Sequence, residues 1–332
     1  MAAGTQRPAS APPQALRALL AEVDDWAPPT VAIGVTDATT TLATHGPTEE
    51  VLWFASVTKP LTAYAVLLAA QHGDLRLDEP ADVPFGPKGV TVRHLLAHAG
   101  GLPRERGGPM MPVERRRSYS DWAYELLGDL VAARVGMPIE EHLDLEVCRP
   151  LGMTRTRLGG PAGHGVHGTL TDLLRFAREL LAPTLLDPDR LTEATAVAFP
   201  GLDGVVPGFG RYTPNDWGLG FERKGSKGNG GSTANGRSAA NGGSAANGGS
   251  AANGDGMSGE GDQDSAGSQT LHWMGTRLSS RTFGHFGLSG SFLWVDPDRG
   301  VAAAELADRE FGPWAREAWG PFNDRLADAV AP

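Results

Sequence analysis

Ser56-Val57-Thr58-Lys59-Pro60 opens an almost wholly apolar run that continues to Ala70. Pro60 has no backbone N–H and is tolerated only in the first turn of a helix, so a helix must begin close to Ser56. At a spacing of three residues, the hydroxyl of Ser56 and the amine of Lys59 lie on one helical face, within hydrogen-bond reach. The stretch therefore predicts a buried helix with a serine nucleophile and its base at the start.

The cation of the Ser56–Lys59 motif is a lysine, although most basic residues of the chain are arginines. Lys59 is one of only four lysines, against 25 arginines. A guanidinium does not release its proton, whereas burial at a helix start can lower the pKa of a lysine into a useful range. If Lys59 were an ordinary first-turn charge behind an N-cap serine, the helix dipole would favour Asp or Glu there instead. The residue type thus favours a catalytic role.

Composition limits the class of protein. The chain has 332 residues, 40% of them hydrophobic, which is enough for one large domain. The net charge is −10 and the only basic run is 115–117, so no nucleic-acid partner is expected. The N-terminal stretch lacks the basic and apolar regions of a signal peptide, and we expect a cytoplasmic protein without membrane association. Cys148, the only cysteine, is expected to be a small core residue.

Strand patterns occur near both ends of the chain, with helical periodicity between them. Residues 31–35 and 39–43 predict a hairpin, 52–54 a short strand, and 271–274, 282–286, 291–295 and 301–306 predict late strands with a turn at 296–300. Amphipathic segments at 92–97, 121–135 and 173–181 predict helices, and 322–330 a terminal helix. The expected fold class is α+β: an antiparallel sheet formed by N- and C-terminal segments, with an inserted helical subdomain.

The expected domain plan has one main unit. Residues 1–28 form a tail with a short helix, in which the apolar side chains recur at helical spacing: Leu16, Leu19, Leu20, Val23 and Trp26. Residues 29–332 form the domain, with the helical subdomain at about 74–215. Residues 225–268 contain near-repeats of Gly-Gly-Ser-Ala-Ala-Asn, which bury too little apolar surface to offset the entropy of ordering. We expect a disordered insertion between two neighbouring strands, at 219–222 and 271–274.

Two further motifs complete an acyl-transfer site. Tyr119-Ser120-Asp121 opens a predicted helix, from which the tyrosine hydroxyl can project toward Ser56, and His285-Phe286-Gly287 ends a strand. Taken in this order with the first motif, they resemble the serine β-lactamase-like and penicillin-binding-protein-like hydrolases, in particular the esterase, D-aminopeptidase and class C branch. Segments 92–98, 101–103, 124–128, 150–153 and 170–176 also resemble signatures of that family. The resemblance spans roughly residues 30–222 and 271–306.

The resemblance implies a β-lactamase/transpeptidase-like fold and assigns roles to residues. Ser56 would be the nucleophile, Lys59 its activating partner, and Tyr119 the general base for acylation and the acid for the leaving group. The backbone N–H groups of Ser56 and Leu288 would form the oxyanion hole. Asp121 stands where the family usually has Asn, and its charge would stabilise the Lys59 ammonium and disfavour a Tyr119 phenolate.

Neither a cofactor nor a metal is expected. His94 and His98 have the four-residue spacing of a metal pair but lack the glutamate of His-Glu-x-x-His, so we expect them to make structural hydrogen bonds. No Gly-x-Ser-x-Gly is present, which excludes the nucleophile elbow of α/β-hydrolases.

The strand motif bears on the substrate. In the β-lactam and peptidoglycan branches it usually carries Lys and Thr, which hold a substrate carboxylate. Here a largely neutral His285, a Phe286 without a hydroxyl and Gly287 predict weak carboxylate recognition. The expected function is hydrolysis of a small ester or amide through an acyl-enzyme on Ser56, with an ester preferred. Two alternatives remain open: a β-lactamase or D-Ala carboxypeptidase, and a catalytically silent binding domain, which the unusual Asp121 and Phe286 leave open.

Overall fold

A six-stranded antiparallel sheet joins the two ends of the chain. The structure is a computed structural model that describes residues 13–225 and 271–330. The strands described are β1 (Val31–Asp37), β2 (Thr41–His45), β3 (Leu52–Trp53), β4 (Arg157–Leu158), β5 (Val166–Gly168), β6 (Gly204–Val206), β7 (Gly210–Tyr212), β8 (Glu222–Arg223), β9 (Phe283–Gly287), β10 (Ser291–Asp296) and β11 (Val301–Ala307).

The helices supply the remaining layers. They are α1 (Pro13–Leu20), α2 (Thr58–His72), α3 (Val92–Leu96), α4 (Asp121–Val135), α5 (Ile139–Leu143), α6 (Leu170–Leu181), α7 (Pro188–Thr195) and α8 (Pro313–Ala329). Two 3₁₀ turns at Ala21–Asp25 and Ala55–Val57, and a π-helical turn at Asp144–Cys148, connect them to their neighbours.

The order of strands in the large sheet is β2-β1-β11-β10-β9-β8, and neighbouring strands are antiparallel. The N-terminal β1 lies beside the C-terminal β11, with Val31 opposite Ala307. Helices α3 to α7 lie between β3 and β8 in the sequence. The expected α+β fold, with a sheet built from both ends of the chain and helices inserted between them, is confirmed.

Each face of the sheet covers its own apolar core. On one face, side chains of α1 and α8 such as Leu20 and Trp319 pack against Ile33 and Phe292 of the sheet. On the other face, α2 and α6 pack against strand residues such as Leu293. Strand residues alternate between the two cores because successive side chains point to opposite faces. The Ser56–Lys59 motif starts at the edge of the core that contains α2 and α6.

Helix α2 runs through the protein interior. Every residue from Thr58 to Ala70 is buried, which explains why its sequence is apolar on all sides. The helix ends at Gly73, whose φ of 87° is left-handed and suits a residue without a Cβ. Within this helix, Lys59 is the single charged side chain that is buried, and it must find partners in the core.

Several predicted elements differ from the structure. Residues 271–274 form turns instead of a strand, because the apolar Trp273 and Met274 fill the core beneath α8 and pair with no ladder. The strand expected around 219–222 is reduced to β8, since Gly220 adopts a φ of 98° just before it. The small sheets β3-β5-β4 and β6-β7 were not predicted. The repeat-rich segment lies outside the described residues, apart from its first residue.

Two other local predictions, the packing of the N-terminal helix and the burial of Cys148, are confirmed. Leu16, Leu20 and Val23 are buried, and Leu19 and Trp26 are partly buried against the same core. Cys148 is buried, and burial raises the pKa of its thiol to about 12. None of the helices in the described part of the chain is both long and apolar enough to cross a bilayer.

Candidate active site

Ser56 lies on the 3₁₀ turn that leads into α2. The preceding Ala55 has a φ of 45°, in the left-handed region that costs a non-glycine residue free energy. Strand β9 approaches this turn so closely that a Cβ on Gly287 would lie 2.5 Å from the carbonyl oxygen of Phe54. Glycine is therefore required at 287, and the end of β9 lies directly against the nucleophile segment.

Lys59 is completely buried, and its ammonium has three acceptors. Its Nζ lies 3.2 Å from Ser56 Oγ, 2.5 Å from Asp121 Oδ1 and 2.9 Å from the carbonyl oxygen of Gly163. Three N–H donors meet three acceptors, which satisfies the group. Burial lowers the pKa of Lys59 to about 8, although the neighbouring Asp121 carboxylate raises it.

The start of α4 brings Tyr119 to the nucleophile. Ser120 is the N-cap of α4, and its side chain accepts a hydrogen bond from the N–H of Ala123 at 3.0 Å. The carbonyl of Arg104 accepts the N–H groups of the first turn, including that of Asp121 at 2.9 Å. Held in this way, the Tyr119 hydroxyl donates to Ser56 Oγ at 2.7 Å.

Asp121 bridges two cations. One carboxylate oxygen accepts from Lys59, and the other accepts from Arg104 Nε at 3.2 Å. Burial raises the pKa of Asp121, but the Lys59 ammonium and the Arg104 guanidinium outweigh this effect and keep the pKa below its usual range. The aspartate is therefore ionised, and it faces the site as the sequence suggested.

Tyr119 is a phenol in the resting site. Burial, followed by the charge of Asp121, raises its pKa well above the usual value, although its hydrogen bond to Ser56 has the opposite effect. Lys59 Nζ lies 4.7 Å from the centre of the tyrosine ring, a cation–π distance. The geometry thus makes Tyr119 a proton donor before the reaction begins.

The histidine of the strand motif is neutral. His285 is 2% exposed, its Nδ1 lies 2.6 Å from the carbonyl oxygen of Phe286, and burial together with Lys59 lowers its pKa to about 3. Because Nδ1 must donate to that carbonyl, Nε2 is an acceptor. Phe286 contacts Phe311 and Trp319, so its ring belongs to the aromatic layer below the sheet.

A cleft beside Ser56 collects residues from distant parts of the sequence. Its lining comprises Ser56, Arg104, Tyr119, Pro207, Trp217, Glu222, His285, Phe286, Leu288 and Phe311. Sequence reasoning had singled out Ser56, Tyr119, His285, Phe286 and Leu288. It missed Arg104, Trp217 and Glu222, which lie in loops or a two-residue strand without a motif, and only the tertiary structure brings them here.

His94 and His98 each make a structural hydrogen bond through Nδ1. His94 Nδ1 lies 2.7 Å from Thr91 Oγ1 at the start of α3, and His98 Nδ1 accepts the N–H of Ser120 at 3.2 Å. The His98 ring lies 4.7 Å from that of Tyr119, and burial, together with Lys59, lowers its pKa well below the usual range. Nowhere in the described ranges do three potential metal ligands cluster.

Comparison with known proteins places this geometry in context. The family model described as Beta-lactamase matches residues 21–327. The crystal structure of a beta-lactamase from Mycobacterium bovis is 38% identical, with a TM-score of 0.78, and the match covers 95% of this chain and all of that one.

Curated relatives are more distant. Esterase EstB from Burkholderia gladioli is 31% identical over 30% of this chain and 36% of its own. The D-alanyl-D-alanine-carboxypeptidase/endopeptidase AmpH from Escherichia coli is 25% identical over 32% and 37%, respectively. The chain spans less than two thirds of the length of these relatives. It spans 41% and 61% of the length of two other curated relatives.

Proposed function

The chain belongs to the beta-lactamase family, and from this we propose that it is a serine hydrolase that cleaves a small ester through an acyl-enzyme on Ser56. The observation that carries the proposal is the convergence on Ser56 Oγ of Lys59 Nζ at 3.2 Å and the Tyr119 hydroxyl at 2.7 Å. A nucleophile within hydrogen-bond reach of both a base and an acid is the arrangement that acyl transfer requires.

The pKa shifts of Lys59 and Tyr119 support Lys59 as the base. With a pKa of about 8, roughly a tenth of Lys59 is neutral at pH 7. Burial and the charge of Asp121 raise the pKa of Tyr119 well above its usual value, so the phenolate is disfavoured. Neutral Lys59 therefore takes the proton of Ser56, and the Tyr119 phenol remains as the acid.

The reaction then has two halves. Ser56 Oγ attacks the ester carbonyl carbon while its proton moves to Lys59, and the backbone N–H groups of Ser56 and Leu288 donate to the oxyanion. As the carbon–oxygen bond to the alcohol breaks, Tyr119 protonates the leaving oxygen and is reprotonated by Lys59. A water molecule then attacks the acyl carbon and gives a proton to Lys59. The bond between that carbon and Ser56 Oγ breaks, Oγ takes the proton, and the carboxylic acid leaves.

A fluorophosphonate probe tests the assignment without a known substrate, because it labels only activated serines. We expect labelling of the wild-type protein and none of Ser56→Ala. Ser289→Ala, which removes another buried serine hydroxyl, is the matched control and should label normally. Labelling of Ser56→Ala, or none of the wild type, would contradict the proposal.

A β-lactam or a D-Ala peptide is the second candidate substrate, and Arg104 is the observation that favours it. Its side chain is 58% exposed, lines the cleft and can present N–H donors to a substrate carboxylate. This alternative predicts that the enzyme hydrolyses nitrocefin faster than p-nitrophenyl butyrate, and that Arg104→Ala loses the nitrocefin hydrolysis. Both results together would establish it over the esterase.

A further inference from the structure

His98 accepts a hydrogen bond on each side of the tyrosine that faces the nucleophile. Its backbone carbonyl accepts the N–H of Ser118 at 2.9 Å, and its Nδ1 accepts the N–H of Ser120 at 3.2 Å. Tyr119 is the residue between these two donors. One residue therefore fixes the backbone both before and after Tyr119.

The segment that carries Tyr119 has no regular structure of its own to hold it. Residues 112–120 form neither helix nor strand, and α4 begins only at Asp121. Proton transfer requires a hydrogen-bond distance, such as the 2.7 Å between the Tyr119 hydroxyl and Ser56 Oγ. A displacement of about 1 Å can lower a rate by about 10²-fold. Hydrogen bonds on both sides of Tyr119 limit such a displacement.

The His98 ring also packs against the tyrosine ring. The two ring centres are 4.7 Å apart, and the ring of Trp217 meets that of His98 edge-to-face, also at 4.7 Å. His98 is 2% exposed and is not one of the residues that line the cleft. It can therefore hold Tyr119 without touching a substrate.

The backbone of His98 has an uncommon conformation. Its φ of 54° lies in the left-handed region, which few non-glycine residues adopt and in which His, Asn and Asp are enriched. Such strain persists where the surrounding structure imposes it, and it is concentrated at functional sites. In this conformation, the carbonyl and the Nδ1 of one residue reach two donors that are two residues apart.

The imidazole of His98 keeps its acceptor while Lys59 titrates. Burial, followed by the charge of Lys59, lowers the pKa of His98 well below its usual value, so the ring is neutral. Because Nδ1 accepts from Ser120, the single ring proton is on Nε2. The hydrogen bond to Ser120 is therefore intact at the pH at which Lys59 acts as a base.

We propose that His98 is a positioning residue for catalysis, which holds the Tyr119 hydroxyl where it protonates the leaving group. The inference rests on the proposed ester hydrolysis, in which Tyr119 is the acid. Because His98 acts through Tyr119, its loss matters most for esters whose leaving group needs a proton.

Two butyrate esters with different leaving groups test the role. p-Nitrophenolate leaves as a stable anion, whereas the alkoxide of ethyl butyrate needs a proton from Tyr119. His98→Gly tolerates the left-handed φ but removes Nδ1. Its kcat/KM for ethyl butyrate should fall at least about tenfold more than that for p-nitrophenyl butyrate, as expected when an acid is misplaced. His98→Asn tolerates the same φ and keeps an acceptor at the position of Nδ1, so it should restore most of this loss.

His94→Gly is the matched control. His94 Nδ1 also accepts a backbone N–H at 3.2 Å, that of Thr91, but its ring stacks on Phe199. The loss of this bond should affect both esters equally. His98→Ala, which also lacks the acceptor, repeats the test if His98→Gly does not fold.

Tyr119→Phe completes a double-mutant cycle. In this background, His98→Gly should cause no further selective loss for ethyl butyrate, because the hydroxyl that it positions is gone. An equal fall for both esters in His98→Gly, or the same selective loss in the Tyr119→Phe background, would overturn the positioning role.

Fluorine NMR of protein labelled with 3-fluorotyrosine gives a readout without turnover. The chain has four tyrosines, and Tyr119→Phe identifies the resonance of Tyr119. We expect one narrow Tyr119 resonance in the wild type and in His98→Asn, and a broadened or split one in His98→Gly. A Tyr119 resonance equally narrow in all three proteins would contradict the proposal. If the wild type hydrolyses neither ester, the proposed function fails, and the fluorine spectra alone decide whether His98 positions Tyr119.

Discussion

Lys59 and Asp121 show how single residues set the chemistry of this site. The buried ammonium has acceptors for all its protons, and one of them, the carboxylate at 2.5 Å, raises a pKa that burial lowers. The balance leaves Lys59 able to lose its proton near pH 8. Without the carboxylate, burial would make Lys59 lose its proton at a lower pH, so Asp121 sets the pH range in which Lys59 can act as a base.

Lys59→Arg should be as inactive as Lys59→Ala, because the guanidinium keeps the charge but does not release a proton. We expect kcat/KM on a p-nitrophenyl ester to fall by about 10²–10⁴, the contribution of a general base. Circular dichroism and thermal melting establish that the variants are folded, and Lys88→Arg, at a position remote from the cleft, serves as the control. Substantial activity in Lys59→Arg would exclude Lys59 as the base.

Asp121→Asn should move the acid limb of the pH–rate profile to lower pH. In the wild type the limb should lie near pH 8, where Lys59 loses its proton, and the asparagine removes the charge that raises this pKa. The measurement is kcat/KM against pH for both proteins, with the exposed Asp129→Asn on the same helix as the control. A limb that stays in place or moves to higher pH would mean that Asp121 does not act through Lys59.

At the scale of elements, strand β11 places a carboxyl group, that of Glu305, in the core of the protein. The carboxylate of Glu305 on β11 is buried beside Trp319, and neither of its oxygens has a hydrogen-bond partner in the described part of the chain. Burial raises the pKa of Glu305 well above its usual value. This strand therefore carries a neutral acid in the aromatic layer under α8.

Glu305 should make the folded protein less stable as the pH rises. Below its unfolded pKa of ~4.3 the acid is protonated in both states and contributes no pH dependence. Above that pH only the unfolded chain releases the proton, so the free energy of unfolding should fall by up to ~1.4 kcal/mol per pH unit until the folded pKa is reached.

Glu305→Gln should remove this slope. The measurement is urea unfolding between pH 5 and 8 for the wild type and the variant, and the exposed Glu317→Gln on α8 is the control that should keep the wild-type slope. Parallel pH profiles for wild type and Glu305→Gln would show that the carboxylate is ionised in the folded state.

At the scale of the whole molecule, the sheet edge at β8 and β9 receives the repeat-rich segment. The backbone N–H of Lys224 donates to the carbonyl of Thr282 at 3.0 Å, and its side chain reaches the carbonyl of Thr276 at 2.8 Å. The chain therefore leaves and re-enters the described structure along one edge of the sheet.

Deletion of residues 226–267 should leave stability and activity nearly unchanged. Loop-closure entropy varies slowly with length, by only ~0.6 kcal/mol for each doubling, so Tm should change by no more than about 4 °C. Differential scanning calorimetry and ester hydrolysis of the two proteins provide the comparison. A much larger fall in Tm would show that the segment contributes ordered structure.

The sequence by itself determined the local features that depend on near neighbours. Backbone geometry within a few residues explains why Ser56 and Lys59 share a helix face and why a helix starts after Ser120. Composition also distinguished the repeat-rich segment, which has too few apolar residues to form a core, from the rest of the chain.

The tertiary structure alone decided which distant groups share the cleft. Trp273 and Met274 have the composition of a strand, yet the core beneath α8 takes them in a turn. Arg104 and Glu222 have no motif, because their roles depend on facing Asp121 and on lining the cleft. Residue spacing determines short-range geometry, whereas the electrostatic balance at Lys59 arises only when packing removes water and brings distant groups together.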